Sequence, residues 1–173
     1  MRLRFDAAMD MSDFSDVRIL DVGCGFGGFL GHLQDEDIEP AQYVGIDISD
    51  RILDEARDRY PGSRFERRNL MVEPFEDESF DIAVEFGVPN YDLERVSNQA
   101  YLRRYLKHAY DCSDAVLVNC LSDYRDGDWE YEEFVHYYSP EKVFGYAQEL
   151  SRDVVLKHDF EPIPQKEFNL LVR

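Results

Sequence analysis

The stretch from Val17 to Leu33 reads V-R-I-L-D-V-G-C-G-F-G-G-F-L-G-H-L and carries the densest structural signal in the chain. Val17, Ile19, Leu20 and Val22 form an apolar, largely β-branched run of the length of a buried strand. Gly23, Gly25, Gly27 and Gly28 then fall within six residues, and Phe29, Leu30 and Leu33 follow at helical spacing. Strand, glycine turn and helix in that order suit a nucleotide. Glycine reaches positive φ and lacks the Cβ that would hold a ligand away, and the helix start turns N–H groups toward it.

Two templates fit. Gly23, Gly25 and Gly28 satisfy G-x-G-x-x-G, the dinucleotide fingerprint. Asp21, Gly23, Gly25 and Gly27 also give an acidic-x-G-x-G-x-G pattern, and here D-V-G-C-G-F-G resembles the class I S-adenosylmethionine-dependent methyltransferases. Asp21 separates the two, because a dinucleotide fold usually has an apolar residue on the strand at that place. The resemblance implies that Asp21 lies near the cofactor's methionine end, whose amino group is cationic, with Gly23, Cys24, Gly25 and Gly27 in the loop beside it. Stripped of that context, the same residues are a plain turn with an incidental acid.

At 173 residues, 44% hydrophobic and 14% aromatic, the chain reads as one folded domain over 1–173. No apolar run approaches transmembrane length, and four acids in the first sixteen residues are unlike a signal peptide. Cys24, Cys112 and Cys120, an odd set without C-x-x-C spacing, point to a reducing cytoplasm, with neither disulfides nor a metal site. Acids number 37 against 19 bases, for a net charge of −18, and only four bases are lysines. Such an acidic protein fits either a high-salt cytoplasm, where ions screen its self-repulsion, or an arginine-favouring genome. A nucleic-acid partner is disfavoured, since its phosphates would be repelled.

The rest of the chain alternates. Strands are expected at 43–48, 63–67, 80–86 and 115–121, separated by helical or short connections. Val96, Tyr101, Tyr105, Leu106 and Ala109 trace a stripe on a helix over 93–110, and Ser139-Pro140 opens another as N-cap and N1. Phe5, Ala8 and Met9 are expected to form one helical turn over the cofactor, or a frayed end. The connection between 154–160 and 167–173 is too short for a crossover, so these strands should pair as a hairpin. The fold class is therefore α/β and Rossmann-like: a seven-stranded, mostly parallel sheet with a C-terminal antiparallel hairpin and helices on both faces. A reversed strand at the end resembles the class I methyltransferase plan, whereas a dinucleotide domain would close on a sixth parallel strand.

Site residues follow from the strand ends. Asp47, 22 residues after Gly25, can accept both ribose hydroxyl protons, with Ile48 against the adenine. Asn69 stands where the family often has aspartate; its amide oxygen could take the adenine amino group, and Leu70 would supply an apolar face or an N–H. Glu85, Asn90 and Tyr91 follow the fourth strand, near where a methyl would leave. Glu85 is a cofactor contact and candidate general base, Asn90 and Tyr91 candidate substrate contacts. The V-P-N-Y wording lacks the doubled proline of N/D-P-P-Y/F, which argues against base methylation. The acidic, aromatic tract 124–138 is a candidate substrate lid, with Tyr124 and Trp129 on substrate and His136, the only histidine near it in sequence, as proton acceptor. Its plainer reading puts Phe134, Val135 and Tyr138 in the core.

The resemblance implies in-line transfer of a methyl from S-adenosyl-L-methionine, leaving S-adenosyl-L-homocysteine. A small-molecule acceptor comes first and a protein side chain second. A non-catalytic cofactor-binding protein and an NAD(P)-dependent oxidoreductase are the other readings. Accepting atom and oligomeric state leave no trace in the sequence.

Overall fold

The computed structural model describes residues 2–76, 79–93, 96–124, 132–160 and 166–173. Its elements are α1 (Arg2–Met9), β1 (Arg18–Val22), α2 (Gly28–Asp35), β2 (Gln42–Asp47), α3 (Asp50–Arg59), β3 (Arg64–Arg67), β4 (Ile82–Phe86), a 3-10 turn (Val88–Asn90), α4 (Asn98–Asp111), β5 (Val116–Leu121), α5 (Pro140–Gln148), β6 (Val154–Lys157) and β7 (Glu167–Val172).

The seven strands form one sheet in the order β3-β2-β1-β4-β5-β7-β6. All four pairings from β3 to β5 are parallel. β7 runs antiparallel to both its neighbours, in register Leu117↔Leu171 with β5 and Val155↔Leu171 with β6. The chain builds outward from β1 through β2 to β3, then returns to place β4 on the other side of β1. The carboxyl ends of β1 and β4 are thus the switch point where an open α/β sheet forms its crevice.

Successive strand residues face opposite ways, and the two cores divide by that alternation. Leu20, Val22, Ala83, Val116 and Val118 pack with Leu102, Tyr105 and Leu106 of α4 and Val143 and Ala147 of α5. Ile19, Ile82, Val84 and Leu117 face the other way, onto Phe5 of α1, Phe29 and Leu33 of α2, and Leu53 and Ala56 of α3. β5 and β7, covered on both faces, are buried at all six residues each.

Local chemistry sets the element ends. Ser139 caps α5, its hydroxyl accepting from the Lys142 N–H, with Pro140 at the first turn. Ser97 caps α4 in the same way. The helical stripe expected over 93–110 is shorter than its sequence pattern, because α4 starts at Asn98. Val96 therefore lies before the helix and is exposed, while Tyr105, Leu106 and Ala109 are buried.

The amino-terminal residues are not a frayed end. α1 has eight residues, a little over two turns, and Phe5, 5% exposed, sits between the rings of Phe29 at 5.3 Å and Phe86 at 4.8 Å. A buried polar network ties α1 to the sheet. The Arg4 guanidinium pairs with Glu167, and the Asn169 amide donates to the Arg4 carbonyl at 3.0 Å. Asn119 donates to both Glu167 (3.0 Å) and Asn169 (2.9 Å). No described helix is long and apolar enough to cross a membrane.

Because Phe5 fills a ring-lined space against the sheet, Phe5→Ala should cost about 3 kcal/mol of unfolding free energy in urea, the scale of a buried phenylalanine truncation. A loss below ~1 kcal/mol would mean that α1 contributes little to the fold.

Candidate functional site

The glycine loop is stitched to β2 at its start: the N–H groups of Gly23 and Cys24 both donate to the Ile46 carbonyl, at 2.7 and 3.0 Å. Gly23, Gly25 and Gly27 all take positive φ, at +71°, +55° and +76°. Their surroundings differ. A Cβ on Gly23 would lie 2.1 Å from Val88 Cγ2, and one on Gly27 would lie 2.8 Å from the Tyr60 ring. A Cβ on Gly25 would meet nothing within 4 Å. Two of these glycines are demanded by packing, and Gly25 alone faces open space at the switch point. Cys24, expected among the ligand contacts, points the other way. Its thiol is buried in the α1–α3 core, where desolvation pushes its pKa up, and its N–H is already committed.

Asp47 ends β2 with its carboxylate against this opening. Oδ2 accepts the Gly25 N–H at 3.2 Å and Oδ1 the Ser49 N–H at 3.0 Å. Each oxygen keeps further lone-pair capacity. Ile48 beside it is 67% exposed. Asn69 is exposed after β3, its side-chain oxygen accepting the Met71 N–H at 3.0 Å. Leu70 is buried among the core residues on the α4 side, so its side chain offers no apolar face to a ligand. Val72, two residues on, is 72% exposed, and nothing in its local sequence singles it out.

Asp21 lies at the carboxyl end of β1, buried, and accepts the Tyr43 hydroxyl. Desolvation raises its pKa to about 7; the Tyr43 bond opposes the rise and nearby Asp47 adds to it.

Glu85 does not fit the role of a general base facing the crevice. It is fully buried on the α4 side of β4. Desolvation, with Asp21 adding, drives its pKa well above the carboxylate range against the Val88 N–H and Arg4. A carboxyl sealed from solvent within the core is out of reach of an acceptor whose proton it would take. What it does is structural: Oε1 accepts the Val88 N–H at 2.5 Å and so fixes the turn whose valine covers Gly23. Asn90, expected on substrate, is also a clamp. Its amide oxygen accepts the Leu121 N–H at 2.8 Å and its carbonyl the His136 N–H at 2.9 Å. Tyr91 remains at the surface, exposed.

The tract after β5 splits. Residues 132–138 run beside the β4–α4 connection through an antiparallel Tyr91↔Val135 bridge. Tyr138 is core, its hydroxyl donating to the Pro89 carbonyl at 2.9 Å, whereas Phe134 is 80% exposed. The His136 ring packs edge-on to Tyr138 at 4.5 Å. Its Nε2 has no partner, and burial lowers its pKa, so it is neutral at pH 7. Trp129 lies outside the described residues. Tyr124 is exposed, and a second histidine, His158, meets its ring edge at 6.0 Å. His136 is therefore not alone near this tract; the β6–β7 hairpin brings His158 in from 34 residues along the chain.

Arg4 is the other residue that sequence reasoning missed. Its Nη1 would lie 3.2 Å from a Cβ on Gly87, so α1 delivers a guanidinium to the end of β4. Nothing local marks it, since only the docking of α1 brings it there. Among the described residues no cluster of His, Cys, Asp or Glu could hold a metal ion.

This strand order, with β7 reversed beside a switch-point glycine loop, is the class I methyltransferase fold. The family described as "Methyltransferase domain" matches residues 19–112, more than half of the 173, and the chain belongs to that family. A phthiotriol/phenolphthiotriol dimycocerosates methyltransferase from Mycobacterium ulcerans is 38% identical over 74 residues, 42% of this chain and 27% of that protein. A shorter match, 48% over 44 residues, is to an mRNA cap guanine-N(7) methyltransferase from Pyricularia oryzae, covering 25% of this chain and 9% of that protein. The matches thus span about a quarter or less of these relatives. Among solved structures, magnesium protoporphyrin IX methyltransferase from Synechocystis with bound SAH superposes with a TM-score of 0.73 at 11% identity, over 98% of this chain and 82% of that one.

The glycines give a direct test of the crevice. Gly25→Ala should cost about 1 kcal/mol, the backbone cost of its positive φ alone. Gly23→Ala adds the collision with Val88 and should cost about 3 kcal/mol or more in the same denaturation assay. Equal losses would mean that the space over Gly25 is not open.

Asp21 predicts a pH signature. Its folded pKa, about 7, stands above the 3.8 of an unperturbed aspartate, so between those values the folded state holds a proton that the unfolded state has lost. Its contribution to stability therefore declines as pH rises from ~4 to ~7 and is flat above. Asp21→Asn keeps an acceptor for Tyr43 and removes the ionisation. The variant should match the native chain near pH 4 and exceed it by a few kcal/mol at pH 8. A gap independent of pH in urea melts would contradict the burial assigned to this carboxyl.

Proposed function

We propose that the chain is an S-adenosylmethionine-dependent methyltransferase acting on a small-molecule acceptor. The observation that carries this reading is the open position over Gly25 with the Asp47 carboxylate at its edge. Asp47 would take the two ribose hydroxyls; exposed Ile48 and Val72 would flank the adenine, with Asn69 toward its amino group. At the other end of the crevice, Asp21 and Arg4 offer opposite charges to the ammonium and carboxylate of a methionine moiety, which needs both. When bound, S-adenosylmethionine supplies a methyl on a sulfonium that a nucleophile can displace in line, leaving S-adenosylhomocysteine.

The chain's own contribution is mainly positioning. The Glu85–Val88 bond and the Asn90 clamp fix the turn beside the glycine loop, so the crevice is set before a ligand enters. Where the accepting atom carries a proton, His136, neutral at pH 7 and only half-buried, supports the role of acceptor better than the fully buried Glu85. The mycobacterial and cyanobacterial proteins are named for small-molecule acceptors, which favours that acceptor class. The −18 charge disfavours a nucleic-acid acceptor, the class named in the fungal match.

S-adenosylhomocysteine should raise the melting temperature and NADH should not, because a ligand bound only by the native state stabilises it. Asp47→Ala should weaken that binding by about 2–3 kcal/mol in calorimetry, the scale of charge-assisted bonds to two hydroxyls. A shift with NADH alone would overturn the reading, and unchanged affinity in Asp47→Ala would remove the ribose assignment.

A further inference from the structure

A cavity of about 380 Å³ opens between α5 and the ends of β5 and β6, at the same carboxyl edge of the sheet as the crevice. That volume falls within the range of small-molecule sites. Phe144 and Leu156, packed against the core, make its apolar floor. Tyr124 and His158 make an aromatic wall, their rings 6.0 Å apart and edge to face. Asp123 and Glu141 bring carboxylates to it.

The charges around the cavity are unbalanced. Glu141 is exposed and accepts the Ser139 hydroxyl at 2.8 Å, which holds its pKa below the usual glutamate range and keeps it ionised. The Lys166 ammonium lies 5.0 Å from the centre of the Tyr124 ring. Among the described residues that line the cavity, two are acids and none is a lysine or arginine. His158 is neutral, because burial and Lys166 both lower its pKa against the pull of Glu141 and Asp123. Its Nε2 is buried with no partner, so it is the ring edge, not that nitrogen, that the cavity meets.

We propose that this cavity binds a protonated amine carried on an apolar body, and that the amine is the far end of the methyl acceptor. The apolar body lies on Phe144 and Leu156, and the ammonium meets Glu141 beside the Tyr124 ring. The second half of the proposal rests on the methyltransferase reading; the ligand chemistry of the cavity does not. From β4 to β6 the sheet steps across three strand spacings, about 14 Å. An acceptor with its nucleophile at the switch point and its amine in this cavity is therefore elongated.

The test uses 2-phenylethylamine, protonated at pH 7, with 2-phenylethanol as its uncharged counterpart, titrated into the full chain by calorimetry. The amine should bind at least tenfold tighter than the alcohol. Tyr124→Ala and Glu141→Gln, both at exposed positions, should each weaken the amine at least fivefold, while Glu36→Gln, an exposed acid on the opposite face, should leave it unchanged. Equal binding of amine and alcohol, unchanged affinity in both cavity variants, or an equal loss in Glu36→Gln would overturn the proposal. S-adenosylhomocysteine titrated into the same samples separates the two readings. Amine binding without it supports the cavity and sinks the methyltransferase assignment; the reverse pattern sinks the cavity alone.

Discussion

The contact between Gly23 and Val88 is the constraint around which the crevice is arranged. Val88 Cγ2 occupies the space that a Cβ on residue 23 would need, so the end of β1 and the turn after β4 approach more closely than any side chain at 23 would allow. The contact is locked from both sides. The N–H groups of Gly23 and Cys24 are held by Ile46 on β2, and the Val88 N–H is held by Glu85 on β4. Gly25 is left as the next point of open backbone, with Asp47 at its edge. A loop pinned on three strands can keep a vacant shape without collapsing into it, which is the preorganisation a ligand site needs.

The arrangement holds two buried acids, and Asp21 adds to the desolvation that raises the pKa of Glu85. Ionising both Asp21 and Glu85 in so little solvent would be costly, and burial raises the pKa of both, that of Asp21 to about 7. Arg4 offsets part of the remainder, and its own partner Glu167 is buried. This pairing differs in kind from ion pairs such as Arg59–Glu55 and Lys107–Asp111, which lie in water and contribute little each. The acids that make the chain so negative are mostly of that exposed sort. The few that matter to the crevice are those removed from solvent.

Much of this fold was legible because its signals are local. Alternating apolar runs, the spacing of the glycines, Ser139 before Pro140 and the short link between the last two strands each specify their element without reference to anything distant. Of the candidate site, what was legible is position that follows from a strand end, as with Asp47 and Asp21. It was not legible where tertiary packing decides. Leu70 and Val72 are two residues apart and both apolar, yet one is in the core and the other faces solvent, because the turn at Asn69 rotates the chain between them. Glu85 and Phe86 show the same limit on a strand, where alternation turns the acid toward α4 and the ring toward α1. Arg4 reaches the end of β4 only after α1 docks, and His158 meets Tyr124 only after the hairpin folds.

Asp21 shows why a buried acid can persist at such a place. Alone it lowers stability at neutral pH, and a neutral residue of the same shape would remove that cost. A carboxyl with a pKa near 7 is nevertheless the group most easily tipped by a ligand, since a cation placed beside it favours the ionised form and draws off the proton. The free energy withheld from folding then reappears as binding free energy for a ligand of positive charge, and for no other. A neutral ligand at the same place would leave the proton on and gain nothing from the acid. Tyr43 sharpens that choice: its hydroxyl donates to Asp21, and a donated hydrogen bond is strongest when the acceptor carries full charge. The carboxyl and the tyrosine thus act together, tolerating the empty crevice with the acid half neutral and rewarding a cationic group that completes the ionisation.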